Sequence, residues 1–132
     1  MAATSRLTLA LDSGALIALS RGDQIARSRL RAWVTAGAYV IVPAPVLAET
    51  LRGKAQDAAV NRVVNATGME PVPVSPEAGR LAGAMLGEAG ARPSATIDAL
   101  IAACAIEHGA TDILTADDDL RRLAPQLNVI PL

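Results

Sequence analysis

The sequence predicts an α/β protein, a three-layer αβα arrangement around a mainly parallel sheet of four to five strands. Three observations carry this. Short aliphatic or β-branched runs alternate along the chain with longer segments of helical spacing, the pattern of strands joined by helical crossovers. The 52% hydrophobic composition draws on Ala, Val, Leu and Ile, with no Phe, one Tyr and one Trp, and small side chains suit helices packed closely on a sheet. A length of 132 residues is that of one hydrophobic core, so a single domain spanning 1–132 is expected.

Leu7 to Leu11 is an apolar run broken only by Thr8 and followed at once by Asp12, Ser13 and Gly14, which reads as a buried strand ending in a polar turn. Ala15 to Ser20 is then a short helix stopped near Gly22. Asp23 is placed to cap a second helix, with Ile25, Leu30, Trp33 and Val34 on roughly one inward face and Gly37 at its end. Tyr39 to Val42 is a strand closed by Pro43, and Pro45 opens a helical segment over Val46 to Leu51, before Gly53. Ala55 to Thr67 continues as a helix with Ala58, Ala59, Val63 and Val64 inward and Gly68 as its stop.

Met69 to Val74 alternates Pro with Val, which demotes it to a short or edge strand. From Ser75, with Pro76 at the first helical position and Glu77 in the first turn, a helix runs through Leu81, Met85 and Leu86 to Gly87 or Gly90. Gly90 to Pro93 is a loop. Ser94 or Thr96 caps the next helix, which turns Ile97, Leu100, Ile101, Cys104 and Ala105 inward and ends at His108 and Gly109. Thr111 to Thr115 is a strand, Asp117 to Ala124 a short helix before Pro125, and Leu127 to Ile130 the last strand.

Composition narrows the function classes. The longest apolar stretches, Ala99 to Ile106 and Tyr39 to Leu47, fall short of the roughly 20 residues that a bilayer-crossing helix needs. Asp12 and Ser13 interrupt the first hydrophobic run, so no export signal is expected and the location expected is the cytoplasm. The lone Cys104 cannot form an internal disulfide and reads as a buried small hydrophobe in a reducing compartment. A net charge of −1 and an isoelectric point near 5.7 exclude a globally basic nucleic-acid binder, so any nucleic-acid site has to be local. Arg27 and Arg31 share a helix face that reads as solvated surface, Trp33 as packing, and Arg80, Arg121 and Arg122 receive no role.

In open parallel sheets ligands bind at the carboxyl edge of the strands. That rule places Asp12 just after the first strand and Asp117, Asp118 and Asp119 just after the Thr111 to Thr115 strand. Glu49 lies on the helix after the Tyr39 strand, and Asp98 in the first turn of the clearest helix, whose start faces the same edge. Four segments thus deliver carboxylates to one place. Such a cluster resists ionisation unless a cation neutralises it, and hard oxygen donors suit Mg²⁺ or Mn²⁺. With His108 the one histidine, a zinc site, a Ser–His triad and histidine acid–base chemistry are poorly supported, and no Walker-type or dinucleotide glycine pattern occurs. A carboxylate-bound divalent ion suits phosphodiester hydrolysis.

Four segments in order, L-D-S-G-A-L at 11–16, V-P-A-P-V-L-A-E at 42–49, I-D-A-L-I-A-A at 97–103 and L-T-A-D at 114–117, resemble the signature segments of PIN-domain ribonucleases of the VapC toxin type, along nearly the whole chain. The resemblance implies a PIN-like fold and an endoribonuclease dependent on Mg²⁺ or Mn²⁺. It matches Asp12, Glu49, Asp98 and Asp117 to the catalytic acids, with Asp12, Asp98 and Asp117 as metal ligands and Glu49 completing the pocket. Ser13 and Thr115 match polar residues lining that pocket. It further implies cleavage leaving a 5′-phosphate and a 3′-hydroxyl, a homodimer, and neutralisation by a cognate antitoxin whose C-terminal segment lies across the acidic cleft.

The chain departs from the family after the fourth acid, where only Asp118 and Asp119 precede Leu120. Asp119 is therefore read as a cap of the last helix ahead of a metal ligand. Arg52 and Lys54 follow the Glu49 helix and are candidates for binding substrate phosphates. The alternative reading is a catalytically silent interaction module whose acidic pocket accepts an arginine from a partner. A receiver-like phospho-acceptor domain would need a lysine beyond a late strand, and the single lysine, Lys54, is misplaced for it.

Overall fold

The computed structural model describes residues 6–66 and 68–132. Five strands, β1 (Thr8–Leu11), β2 (Tyr39–Pro43), β3 (Glu70–Val72), β4 (Asp112–Thr115) and β5 (Asn128–Pro131), form one sheet in the order β3-β2-β1-β4-β5. Every pairing is parallel, as the alternation of strand and helix patterns requires. The chain builds outward from β1 through β2 to β3, then returns to lay β4 and β5 on the other side. The reversal falls between β1 and β4, and the crevice beyond their carboxyl ends is where such sheets take ligands.

Among the described residues seven α-helices flank the sheet: α1 (Ser13–Ser20), α2 (Gln24–Thr35), α3 (Ala44–Thr50), α4 (Asp57–Ala66), α5 (Pro76–Ala89), α6 (Thr96–Glu107) and α7 (Leu120–Leu123). Helix α1 packs on α2, α3 and α4, while α6 packs on α3, α5 and α7, giving the αβα layering. A sheet covered on both faces needs strands that are apolar throughout. Leu9, Ala10 and Leu11 of β1, Ile41 and Val42 of β2, and Ile113 and Leu114 of β4 are accordingly all buried. Each large aliphatic side chain buried there stabilises the fold by about 1.5–3 kcal/mol. Strand β3 lies at the edge, paired with β2 alone, a place where the missing N–H of Pro71 is tolerated.

Local chemistry sets the helix ends. The Asp23 carboxylate accepts the Ala26 N–H at 2.8 Å and the Ser75 hydroxyl accepts that of Ala78 at 3.0 Å, so both expected caps form. Gly90 ends α5 with φ +59°, a left-handed conformation that glycine adopts without strain.

Several expectations are corrected. Ile25 and Val34 are 56% and 46% exposed, and α2 instead buries Ala26 and Leu30, four apart on a narrow stripe. Ala58 is exposed and α4 turns Val60 and Val64 inward. Ile97 is 42% exposed, because it lies in the open first turn of α6. Helix α1 begins at Ser13, two residues earlier than the reading from Ala15, with Asp12 as its cap. Neither Ser94 nor Thr96 caps α6: Pro93–Ala95 form a 3-10 turn, and the Thr96 hydroxyl donates back to the Pro93 carbonyl at 2.7 Å. Thr67, assigned by sequence to the α4 helix, lies outside the described residues.

Candidate metal centre

Asp12 follows the last residue of β1, and its backbone N–H donates to the Leu114 carbonyl at 3.1 Å, adding one rung to the β1–β4 ladder. Its carboxylate is thereby held beside Thr115 at the end of β4. One carboxylate oxygen caps α1 by accepting the Ala15 N–H at 3.2 Å, and the other accepts the Thr115 hydroxyl. Gly14 allows this closeness: a Cβ built there would lie 3.1 Å from the Ala116 Cβ. Burial holds the Asp12 carboxyl above its ordinary pKa, opposed by the Thr115 hydroxyl and the Ala15 and Gly14 N–H groups, with the nearby Asp117 charge adding to the rise.

Thr115 is buried and serves two acids, since its Oγ1 also accepts the Asp117 N–H at 2.9 Å. Asp117 in turn accepts the Asp119 N–H at 2.9 Å, closing a turn before α7. Asp119 stands at the N-cap position of α7 as expected, but its side chain makes no cap bond; the N–H groups of Arg121 and Arg122 go to the backbone carbonyls of Asp118 and Asp119 at 3.1 and 3.2 Å. Glu49, near the end of α3, accepts the Ser13 hydroxyl at 2.5 Å. It makes no ion pair with Arg52 among the described residues; the N–H groups of Arg52 and Gly53 donate to Asp57 at 2.9 and 2.7 Å.

Asp98 completes the convergence from the first turn of α6. Its carboxyl is pushed up to about 6 from an ordinary 3.8, first by burial and then by the negative charges of Asp117, Glu49, Asp12 and Asp119. Asp98 therefore senses all four of the other acids. The sheet edge gathers Asp12, Glu49, Asp98 and Asp117 as the edge rule anticipates, with Asp119 beside them and Ser13 and Thr115 positioning them.

This donor set fits a hard divalent cation in charge and in atom type. Among the described residues no three of the His, Cys, Asp and Glu side chains close on a common point. Mg²⁺ commonly takes one or two carboxylates and keeps several waters, so a full protein cage is not required.

Beside Asp98 and Asp119 opens a cavity of about 400 Å³, lined also by Leu120, Leu123, Arg92 and Arg122. Neither arginine receives a role from the sequence. A signal exists for Arg92, which precedes Pro93 in the loop leading to the Asp98 helix. Arg52 and Lys54 lie in the turn held by Asp57 and do not border this cavity.

Residues 9–125 match the family model of the PIN domain. The chain belongs to the PIN-domain family. Solved structures with which this PIN domain shares its fold include VapBC2 of Rickettsia felis bound to a DNA fragment from its promoter, at 18% identity and a TM-score of 0.76, covering 96% of this chain and 99% of that one. A toxin–antitoxin complex of Klebsiella pneumoniae follows at 20% identity and 0.72, covering 92% and 95%. VapC20 of Mycobacterium tuberculosis, a sarcin–ricin loop-cleaving toxin, follows at 20% and 0.66, covering 88% and 95%. No match is found among curated proteins. Among the described residues no helix of the PIN domain is long and apolar enough to cross a membrane.

Proposed function

We propose that this PIN domain is a divalent-metal-dependent endoribonuclease of the VapC type, the toxin of a toxin–antitoxin pair. The observation that carries the reading is the meeting of Asp12 and Asp117 through Thr115 across the β1–β4 crevice, with Asp98 close enough to feel both charges, an arrangement that a bound cation relieves. Asp12, Asp98 and Asp117 would hold Mg²⁺ or Mn²⁺, with Glu49 and Asp119 at its margin. When bound, such an ion supplies charge that steadies a phosphoryl oxygen and lowers the pKa of a water.

The residues around it have separable tasks. Thr115 holds Asp12 and the Asp117 backbone in register across the β1–β4 crevice. Ser13 occupies one oxygen of Glu49, which leaves the other to orient the attacking water and take its proton. The solved relatives include a toxin–antitoxin complex and a toxin that cleaves the sarcin–ricin loop, and this supports an RNA substrate and a protein antitoxin here, with cytoplasmic action as part of the reading. A homodimer is part of the same reading.

The test is cleavage of total RNA by purified, antitoxin-free protein with Mg²⁺ or Mn²⁺, beside EDTA and the Asp98→Asn variant. Discrete fragments bearing 5′-phosphates, lost in both controls, are expected. A folded protein that cuts no RNA with either ion would instead favour an interaction module whose acids receive a partner arginine.

A further inference from the structure

We propose that the cavity beside Asp98 and Asp119 seats the RNA strand flanking the scissile phosphate, with Arg92 and Arg122 each gripping a phosphate. This rests on the nuclease reading and adds to it where the substrate is held. An RNA approaching five clustered carboxylates on a chain of net charge −1 is repelled unless local cations offset them. Two arginines that line the same cavity as Asp98 and Asp119 can supply that offset.

Arg6 stacks on the Tyr39 ring at 4.7 Å, and Arg121 pairs with Asp118 at 3.4 Å. Arg27, Arg31 and Arg62 line a separate, largely apolar groove with Leu30 and Val34. Arg92 and Arg122 are the arginines that border the cavity containing Asp98 and Asp119. Among the described residues neither guanidinium has an ion-pair or hydrogen-bond partner. Each therefore presents five free donors, in a planar fork that matches a phosphate.

The backbone fixes where both side chains start. Arg92 has an extended conformation before Pro93, and its carbonyl accepts the Ala95 N–H at 2.9 Å. Arg122 stands on α7, whose Leu120 and Leu123 anchor it in the core. The cavity is thus lined by two acids, two cations and apolar side chains together. At about 400 Å³ it has the size of a small-ligand pocket, suited to an unstacked base between two phosphates. The substrate class is RNA with a single-stranded loop.

The experiment measures binding of a labelled, mixed-sequence single-stranded RNA by anisotropy in EDTA across a salt series, then cleavage with Mn²⁺. For the Arg92→Gln/Arg122→Gln variant the Kd at physiological salt is expected to rise about tenfold. The slope of log affinity against log salt should fall by about 1.4, or about 0.7 for each single-strand phosphate that is no longer neutralised. In cleavage KM rises while kcat stays within about twofold. Arg→Lys at both positions restores the salt slope but not the full affinity, and Arg27→Gln/Arg31→Gln changes neither.

Unchanged affinity, salt slope and KM in a variant of wild-type thermal stability overturn the proposal, while continued cleavage by the wild type leaves the nuclease reading standing. A wild type that neither binds nor cuts RNA removes both. Loss of self-association with RNA binding intact would place the arginines at an interface between copies, and also overturns it.

Discussion

Replacing Asp98 by Asn should stabilise the protein in the absence of divalent ions. The Asp98 carboxyl is pushed up to about 6 in the folded protein against 3.8 ordinarily, so the folded state holds this proton more tightly than the unfolded chain. Between those two values the folded state binds more protons, and stability falls as pH rises through the window. Above pH 6 the whole cost is present; below 3.8 it is gone. Each pKa unit is worth about 1.36 kcal/mol, which sets a ceiling of roughly 3 kcal/mol for the 3.8-to-6 difference. Asp98 is only half-buried, and solvent screening cuts that ceiling to about 1.5 kcal/mol.

Asn also gives up the favourable interaction of a carboxylate with the amino end of α6, about 0.5 kcal/mol. A net gain of about 1 kcal/mol remains, or about 3 °C in Tm for a domain of this size. The assay is thermal unfolding in EDTA at pH 7.5 and pH 5. The variant should melt higher at pH 7.5, and the difference should shrink at pH 5. Asp12, also held above its ordinary value by burial, moves the wild type in the same direction. Asp57, lowered by the N–H groups of Arg52, Gly53 and Lys54, titrates below this range. A variant that melts at or below the wild type at pH 7.5, or a difference independent of pH, would refute the electrostatic reasoning.

Saturating Mg²⁺ or Mn²⁺ should reverse that order: at about 100 times Kd an ion adds about 2.7 kcal/mol to the wild type and less to Asp98→Asn, which differential scanning in each metal would read. Thr115→Val strands the Asp12 oxygen and the Asp117 N–H that Thr115 serves; a loss of about 1–3 kcal/mol in urea unfolding is expected, with Thr115→Ser recovering most of it. Gly14→Ala forces a Cβ to within 3.1 Å of the Ala116 Cβ, parting the two acid-bearing segments. RNA cleavage should fall at least tenfold, about 1.4 kcal/mol of barrier, while circular dichroism at room temperature stays unchanged.

The sheet is legible in the sequence because its strands are covered on both faces, and such strands read as apolar runs whatever surrounds them. The edge strand is legible for the opposite reason, since Pro71 in its middle disfavours a place between two neighbours. Helix faces are harder to read. Ile25, Val34 and Ile97 are apolar yet exposed, because hydrophobicity alone does not say how wide a stripe the neighbouring layer will cover.

At the site, strand ends and helix starts are enough to expect Asp12, Asp98 and Asp117 at one sheet edge, whereas Glu49 stands near the end of α3. Which hydrogen bonds orient them is not legible, because those depend on the β1–β4 register. Asp119 reads as a cap and holds the cap position, but the first-turn amides of Arg121 and Arg122 go to backbone carbonyls and not to its side chain. Arg92 and Arg122 stay hidden in the sequence since they are thirty residues apart and meet only where the α5–α6 loop faces α7.

The most direct test of the acidic centre is a crystal structure of the protein soaked in Mn²⁺, with data collected for anomalous scattering. An anomalous peak within coordination distance of Asp12, Asp98 or Asp117 is predicted, with water completing the shell. The absence of any peak at these carboxylates in saturated crystals, or a peak elsewhere alone, would contradict it.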